Sequence, residues 1–277
     1  MSDCSGAIPR RLVASDIPAA VGLSEQAGWN QTSEDWRMLI DLAPQSCLAI
    51  ESDGKLVATT TLLCYGRRLA WIGMVLTLVS YRGRGFARRL LTQALTQADQ
   101  MRIETVMLDA TDQGRPLYEK MGFRFEQVVE RWSRPASNNS LGTMLPVDAP
   151  PAENWRMADS RSFGADRSEL LERLAQRSQS YFIEGSYLLT RPGRQTRYLG
   201  PSVCDAPEAA RALMARALQA DESQGWSWDL LPKNVAAAAI ARDLAFTPTR
   251  HLHRMVRGKE LRAKEETIYG IAGFELG

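Results

Sequence analysis

The sequence predicts an α/β protein built from two similar domains. Strand-like and helix-like segments alternate along its 277 residues, and a long helix, a strand, a short helix and another strand follow in the same order in both halves. A chain of this length also has room for two domains. A stretch rich in Pro and Asn separates the halves, which predicts a linker at 135–152 between domains at 1–134 and 153–277.

Composition narrows the class of protein. Hydrophobic residues make up 44% and charged residues 24%, which is typical of a globular chain and excludes a disordered, collagenous or coiled-coil protein. Lys and Arg total 34 against 32 Asp and Glu, so neither a nucleic acid nor an acidic membrane is expected as a partner. The four cysteines lack paired spacing, and no signal peptide or long apolar run occurs, so we expect a cytoplasmic protein with reduced thiols.

The first half begins with a short strand at 11–14 and two helices at 17–27 and 33–42, the second capped by Ser33. Asp53-Gly54 is a tight-turn dipeptide, and it predicts a hairpin of the strands 47–51 and 56–64. A third apolar strand covers 71–79. The clearest helix follows it, because seven apolar residues recur at helical spacing: Ala87, Leu90, Leu91, Ala94, Leu95, Ala98 and Met101. A strand at 105–108, a short helix at 117–121 that Gly122 ends, and a strand at 123–132 complete this half.

The second half repeats this order. A hairpin is predicted from the runs 187–190 and 195–199, and a helix begins at Asp205, where Glu208 would complete a capping box. A strand at 226–231 precedes an Ala-rich helix that Asn234 caps. Strands at 247–256 and 267–274 close the chain.

The loop Arg82-Gly83-Arg84-Gly85 lies between the apolar strand and the strongest helix. Amides at a helix N-terminus, with glycines that let the backbone curl, suit a phosphate or pyrophosphate. A P-loop would need Lys-Ser or Lys-Thr after these glycines, and a dinucleotide fingerprint would need glycine where Arg88 stands. Both motifs are absent, so the loop alone leaves a plain Gly-rich turn open as the alternative.

The ordered set of motifs resembles the GCN5-related N-acetyltransferase (GNAT) superfamily. Its signature, Arg/Gln-x-x-Gly-x-Gly/Ala, matches at Arg82, Gly85 and Ala87, and Leu-Tyr-x-x-x-Gly-Phe matches at 117–123. The resemblance covers 11–132, and the closing run 268–277 looks like that of bacterial tandem acetyltransferases with a divergent second domain. It implies in each domain a central mixed, mostly antiparallel sheet flanked by helices.

The resemblance also implies an acetyl-CoA site. The pantetheine arm would pair with the backbone beside a bulge in the strand, and amides of the loop would hold the pyrophosphate. The implied cofactor-binding residues are Val75, Leu76, Thr77, Arg82, Gly83, Arg84, Gly85, Phe86, Ala87 and Arg88. Tyr118 would act as the general acid that protonates the CoA thiolate, although a packed aromatic residue is the alternative. The implied reaction is direct transfer of acetyl from acetyl-CoA to an amine.

The sequence departs from the family pattern at two points. Thr111 stands where many relatives carry Asn, so no CoA contact is assigned to that residue. The strand 71–79 contains no carboxylate, a usual source of the general base, so the base is left unassigned. Asp109 could serve as the base, but a salt-bridged or N-capping Asp explains it better, and a water relay or capture of an amine already deprotonated would also serve. The second half lacks the motifs as well, because Pro201 has no amide hydrogen and Ala241 replaces the tyrosine. One acetyl-CoA site is therefore expected, with the second domain closing the acceptor pocket.

Trp29 and Asn30 lie between the first two helices, and Asp35 lies in the first turn of the second. In this superfamily the region often borders the acceptor, although core packing of the tryptophan and an acidic residue in a first helical turn would also explain the pattern. We expect a small-molecule primary amine as acceptor. The alternatives are a protein amine and a non-catalytic acyl-CoA sensor. His251 and His253 are the only histidines, and no metal is expected because no neighbouring cysteine or acidic pair in the sequence completes a ligand set.

Overall fold

The computed structural model describes residues 8–136, 154–221 and 223–277, whose contacts form two units. Unit 1 contains the residues up to Leu108 together with Arg257–Lys259, and unit 2 contains Asp109–Val256 and Glu260–Gly277. The contacts thus group the last strand of the first half with the second half. The predicted boundaries at 134 and 153 divide the chain by sequence instead, and most of the predicted linker 135–152 lies outside the described residues.

Unit 1 is a sheet with helices, as predicted. Its helices are α1 (Ile17–Gln26), α2 (Ser33–Leu42) and α3 (Phe86–Gln100). Its strands are β1 (Arg10–Arg11), β2 (Cys47–Ser52), β3 (Lys55–Tyr65), β4 (Leu69–Thr77) and β5 (Thr105–Ala110), the last of which ends in unit 2. The order is β1-β2-β3-β4-β5, antiparallel except for the parallel pair β4–β5.

Helix α3 buries one face, in agreement with its apolar spacing. The buried residues are Phe86, Leu90, Leu91, Ala94, Leu95 and Ala98. Burial of each leucine contributes about 1.5–3 kcal/mol, so this face holds the helix firmly on the sheet. The face begins one residue earlier than predicted, since Ala87 is only half-buried, and it ends before Met101, which is 39% exposed.

Unit 2 carries a second mixed sheet. Its helices are α4 (Arg115–Glu119), α5 (Asn154–Phe163), α6 (Ser168–Ala175), α7 (Pro207–Ala220) and α8 (Val235–Asp243). Its strands are β6 (Arg124–Arg134), β7 (Gln179–Ile183), β8 (Ser186–Arg191), β9 (Arg197–Val203), β10 (Trp226–Leu230), β11 (Thr247–Gly258) and β12 (Ile268–Gly270). The order is β11-β6-β10-β9-β8-β7, and β12 also pairs with β9. Among the described strand pairs of unit 2, β9–β10 alone is parallel, so the predicted mixed, mostly antiparallel pairing is confirmed.

Strand β6 comes from the first half of the sequence but pairs only with second-half strands in this sheet. It lies antiparallel between β10 and β11. Its Trp132 is 3% exposed and belongs to the same apolar cluster as Trp226 and Trp228 of β10. The first half of the sequence therefore completes the core of the second.

Several predicted element ends are wrong. Helix α2 is capped by Thr32, whose hydroxyl accepts a hydrogen bond from the Asp35 amide at 3.2 Å, so Ser33 is already helical. Helix α7 begins at Pro207, and its N-cap is Ala206 rather than Asp205, so no side chain caps it; a proline in the first turn has no amide hydrogen that needs a partner. The Asp205 amide instead donates to the Ser186 hydroxyl at 3.1 Å. The predicted last strand, 267–274, is confined to β12.

The segment 163–167, at the end of α5, has a structural role. The buried Arg167 guanidinium donates to both carboxylate oxygens of Asp159 at 2.9 Å and to the Gly277 carbonyl at 2.7 Å. The Tyr187 hydroxyl donates to the same carboxylate at 2.5 Å. Because each buried charge has several partners, this network ties α5 to the last residue of the sequence.

No helix among the described residues combines the length and the apolar character required to cross a membrane. The longest of them, α3, has 15 residues.

Candidate cofactor and active site

Strand β4 contains a β-bulge at Met74. Thr59 pairs with Leu76 and Thr61 with Gly73, so β4 has one residue more than β3 between these two pairs. Met74 adopts φ +50, and the Thr59 hydroxyl donates to its carbonyl oxygen at 2.8 Å. A bulge redirects the following amides, so this hydrogen bond fixes where the next backbone groups of β4 point.

The predicted cofactor residues on β4 lie beyond its pairing with β5. Parallel pairing covers only 69–71 of β4, whereas Val75, Leu76 and Thr77 follow the bulge. On the opposite side, Leu76 and Thr77 pair with β3. In the described strand pairings, the β5-facing edge of these residues is therefore available to an extended ligand.

The glycine loop connects the end of β4 to α3. The strand ends at Thr77, a short 3₁₀ turn covers Val79–Tyr81, and α3 starts at Phe86. Gly83 and Gly85 have φ +76 and +81, which few other residues adopt, and a Cβ at either position would meet no atom within 4 Å. Residues 82–85 are exposed, so the first amides of α3 open onto a free surface that suits an anion.

Arginines of the loop are tied to its backbone. Arg82 Nε donates to the Thr77 carbonyl at 3.3 Å, and Arg84 donates to the Ser80 carbonyl at 3.1 Å. The Arg84 guanidinium also lies 4.6 Å from the centre of the Tyr81 ring. These contacts hold two positive charges beside the N-terminus of α3, where the helix dipole adds to their attraction for an anion. Arg88 in the first turn is exposed as well.

The predicted acceptor residues Trp29, Asn30 and Asp35 belong to unit 1 and lie around the start of α2. Asp35 is 1% exposed, and its carboxylate accepts hydrogen bonds from the Thr32 amide at 2.8 Å and the Thr32 hydroxyl at 3.1 Å. Asp35 thus caps the helix, which was the structural alternative. Asn30 is buried and Trp29 half-buried, and their contact with an acceptor stays a prediction.

Tyr118 belongs to unit 2 and is buried on α4. Its ring packs edge-on against Phe123 at 6.1 Å, and a Cβ on Gly114 would come within 3.1 Å of it. Burial raises the pKa of the Tyr118 phenol above its usual value, so the hydroxyl carries its proton at neutral pH. The chemistry available to this side chain is therefore proton donation.

Asp109 forms a buried ion pair with Arg254. Arg254 donates to both carboxylate oxygens, at 2.9 and 3.0 Å, and neither side chain reaches solvent to any useful extent. This ion pair agrees with the salt-bridge alternative for Asp109. Burial raises the pKa of the Asp109 carboxyl and Arg254 opposes that rise, but both carboxylate oxygens are already engaged by the guanidinium.

Glu126 is a candidate that the sequence analysis missed. Arg254 pairs with Gln127 and Met255 with Phe125, so Glu126 sits in a bulge of β6. It is half-buried and, among the described residues, has no hydrogen-bond or salt-bridge partner. Burial raises the pKa of its carboxyl, and Arg254 opposes that rise. Only strand pairing reveals the bulge, so no signal in the sequence could have identified this residue.

In the second half, β9 corresponds to β4, and the segment 268–271 lies along its edge where β4 has an open edge. Parallel pairing of β9 with β10 stops at Tyr198 and Ser227, and β12 enters beyond it to pair with β9. The Ile271 amide donates to the Asp229 carbonyl at 2.9 Å, and the Trp228 indole donates to the Tyr269 carbonyl at 2.7 Å. The segment 268–271 thus bridges both strands where a ligand would otherwise pair.

The second half also lacks the loop. Gly200 and Pro201 lie inside β9, and only residues 204–206 separate that strand from α7. Ala241, the counterpart of the tyrosine, is fully buried in the core under α8. The described residues of this half therefore contain no counterpart of the glycine loop or of Tyr118.

Family models match both halves of the chain. The Acetyltransferase (GNAT) family matches residues 19–123, and an Acetyltransferase (GNAT) domain matches 156–270. Together they cover most of the sequence, and their order agrees with the two mixed sheets. The protein belongs to the GNAT acetyltransferase family and carries two GNAT segments in tandem.

Relatives of known sequence or structure agree with this family. YitH of Bacillus subtilis (strain 168), named an uncharacterized N-acetyltransferase, is 28% identical over 166 residues, which are 58% of this chain and 58% of YitH. The matched region therefore spans little more than half of that relative.

Solved structures show the same fold. A candidate acetyltransferase from Pyrococcus horikoshii superposes with a TM-score of 0.85 at 22% identity, over 100% of this chain and 98% of its own. A GCN5-related N-acetyltransferase from Sphaerobacter thermophilus superposes with a TM-score of 0.64 at 15% identity, over 93% and 98% of the two chains.

Proposed function

We propose that the protein transfers an acetyl group from acetyl-CoA to a primary amine, and that unit 1 supplies the acetyl-CoA site. The observation that carries this proposal is the succession of bulge, open strand edge and glycine loop along β4 and into α3. Each part has chemistry that suits one section of the cofactor. Val75, Leu76 and Thr77 would pair with the amides of the pantetheine arm as an added strand.

The loop would bind the pyrophosphate. Amides of 83–88 converge at the start of α3, and Arg82, Arg84 and Arg88 add positive charge around them. The bulge would direct an amide of β4 towards the thioester oxygen, where a hydrogen bond grows stronger as negative charge develops. The fit is supported by both glycines, whose open side leaves room for an anion.

The reaction proposed is direct attack. The amine nitrogen bonds to the thioester carbon, the C–S bond breaks, and Tyr118 gives its phenolic proton to the sulfur. A phenol that stays protonated at neutral pH is suited to this step. An alkylamine arrives as an ammonium ion. As the amide forms, the proton lost from its nitrogen replaces the one that Tyr118 has given up. The ammonium proton has to leave before attack, and Glu126 is the carboxylate that we assign to accept it. Its bulged position and lack of a fixed partner support this assignment over Asp109.

The acceptor proposed is a small-molecule amine, with a protein amine and a purely acyl-CoA-binding role as the competing outcomes. The test is release of free CoA thiol in the presence of acetyl-CoA and a panel of amines, peptides with free N-termini and lysine peptides. Thiol release that depends on a small amine is expected. Thiol release with peptides alone would show that the acceptor is a protein amine. Tight binding of acetyl-CoA without thiol release on any acceptor would overturn the proposal that the protein is an enzyme.

Replacement of Glu126 tests the base by its pH dependence. A carboxylate base works when deprotonated, so activity falls as the pH drops through its pKa, and burial places that fall above the usual Glu range. In Glu126→Gln we expect kcat/KM for an alkylamine to drop on the order of a hundredfold and this acidic limb to disappear. The measurement is a pH profile of kcat/KM.

Two controls isolate the proton transfer. The nitrogen of an arylamine is uncharged at neutral pH and has no ammonium proton to lose. Glu126→Gln is therefore expected to acetylate an arylamine nearly as fast as the wild type does. Glu130→Gln makes the same change on β6 at a carboxylate that accepts from the Trp132 indole at 2.9 Å, and it is expected to keep the acidic limb. An equal loss with both amines would show that Glu126 only supports the structure.

A further inference from the structure

The two histidines lie on one face of strand β11. His251 and His253 alternate with inward residues, and their rings meet edge-on with centroids 5.6 Å apart. In the sequence no third ligand stands near them. The structure supplies one, because Asp112, in the connection between β5 and α4, reaches this face from far along the chain.

Three ligand atoms converge at this point. The Asp112 carboxylate is hydrogen-bonded to His253 Nε2 at 2.6 Å, and its other oxygen lies 3.7 Å from His251 Nε2. All three ligand atoms lie within 4.8 Å of one another. Tetrahedral zinc, with ligands about 2.0–2.1 Å away, keeps its ligand atoms roughly 3.3 Å apart, so small side-chain rotations would suffice.

From this convergence we propose that Asp112, His251 and His253 form a binding site for a divalent transition-metal ion of the zinc type, with water completing the coordination. Two imidazoles and one carboxylate are a ligand set that suits zinc, whereas magnesium and calcium prefer oxygen ligands alone. The expectation of no metal followed from the sequence neighbours of the histidines, and the third ligand comes instead from another part of the fold.

The surroundings favour a formed site over a chance surface cluster. His253 is only 13% exposed, and the Phe125 ring packs edge-on against it at 5.7 Å, so its orientation is fixed. The nearby Arg115 is paired with Glu119 at 2.7 Å, and this pairing offsets its repulsion of a cation.

An ion at this position would have a structural consequence. Asp112 precedes α4, where the Gly114 amide binds the Thr111 hydroxyl at 3.1 Å, and both histidines belong to β11. The metal would therefore fasten the connection before α4 to a strand from the other end of the sequence. Its occupancy is expected to raise the melting temperature, since the ion binds the folded chain alone.

The test uses full-length, tag-free protein treated with a chelator and then titrated with Zn²⁺ by calorimetry, and with Co²⁺ by absorption spectroscopy. One ion per chain and an intense d–d spectrum typical of four-coordinate cobalt are expected. Asp112→Asn, His251→Gln and His253→Gln are each expected to lower the affinity at least tenfold. Asp41→Asn, the same change at an exposed position of α2, is expected to bind as the wild type does.

Every outcome decides the proposal. Absence of binding at millimolar Zn²⁺ would overturn it, as would binding that survives Asp112→Asn, because the histidines alone would then be an adventitious chelate. Equal binding of Mg²⁺ would also overturn it, since that would indicate nonspecific attraction by carboxylates. The melting temperature of each variant without metal separates loss of a ligand from loss of folding.

Discussion

The Gly85→Glu variant is expected to bind acetyl-CoA about a hundredfold more weakly than the wild type. Gly85 is the N-cap of α3 and opens onto solvent, so a glutamate there places a carboxylate where the proposed pyrophosphate would lie. Like charges about 6 Å apart repel by on the order of 2–3 kcal/mol near a protein surface, which corresponds to this loss. Calorimetric titration with acetyl-CoA measures it, and one site per chain is expected in the wild type.

The control for this variant is Gly66→Glu. Gly66 lies in the turn between β3 and β4 with φ +63, and a Cβ at this position would likewise meet no atom within 4 Å. Both changes force a side chain into the left-handed region at a cost of roughly 1–2 kcal/mol, but only the first adds charge to the loop. Similar affinities of both variants would contradict the loop site. Binding that remains at full strength in Gly85→Glu would place the cofactor elsewhere.

The Tyr118→Phe variant is expected to lose about a hundredfold in kcat with an unchanged Kd for acetyl-CoA. The substitution removes one hydroxyl and keeps the ring, so the packing on Phe123 stays. Loss of a general acid costs about 10²–10⁴ in rate when the leaving group needs its proton. Steady-state kinetics with a saturating amine and calorimetry of acetyl-CoA binding separate the two quantities.

Tyr181→Phe is the matched control, because it removes a phenol that donates only to Gln179, at 3.2 Å within β7. Its turnover is expected to equal that of the wild type. If Tyr118→Phe turns over as fast as this control, Tyr118 is only a packed aromatic residue and not the general acid. A variant slow only in binding acetyl-CoA would instead assign it to the cofactor.

Local patterns in the sequence were sufficient to predict what depends on neighbouring residues. The spacing of Leu90, Leu91 and Ala94 predicted α3, and Asn234 caps α8, where it accepts from the Ala237 amide at 3.0 Å as expected. The strand–loop–helix order around Gly85 was predicted for the same reason. Periodicity, capping and glycine geometry all depend on residues within a few positions of one another, so a sequence pattern is enough to predict them.

Features that depend on distant pairing could not be predicted. The bulge that frees Glu126 exists only because β6 pairs with β11, and Asp112 meets the histidines only once the fold forms. The same holds for the pairing of β12: the sequence predicted a strand at 267–274, but not that its first residues fill the gap beyond the β9–β10 pairing. Helices α5 and α6 and strand β7 were missed as well.

The position of β6 sets the order in which this protein can fold. Its partners β10 and β11 follow it by on the order of a hundred residues, so the ribosome releases β6 well before either partner exists. During that interval, Trp132 cannot pack against Trp226 and Trp228, its partners in the apolar cluster. A fragment that ends at Ala136 would therefore leave β6 unpaired, and a chain cut between Ala136 and Asn154 would need both fragments present to rebuild the second core.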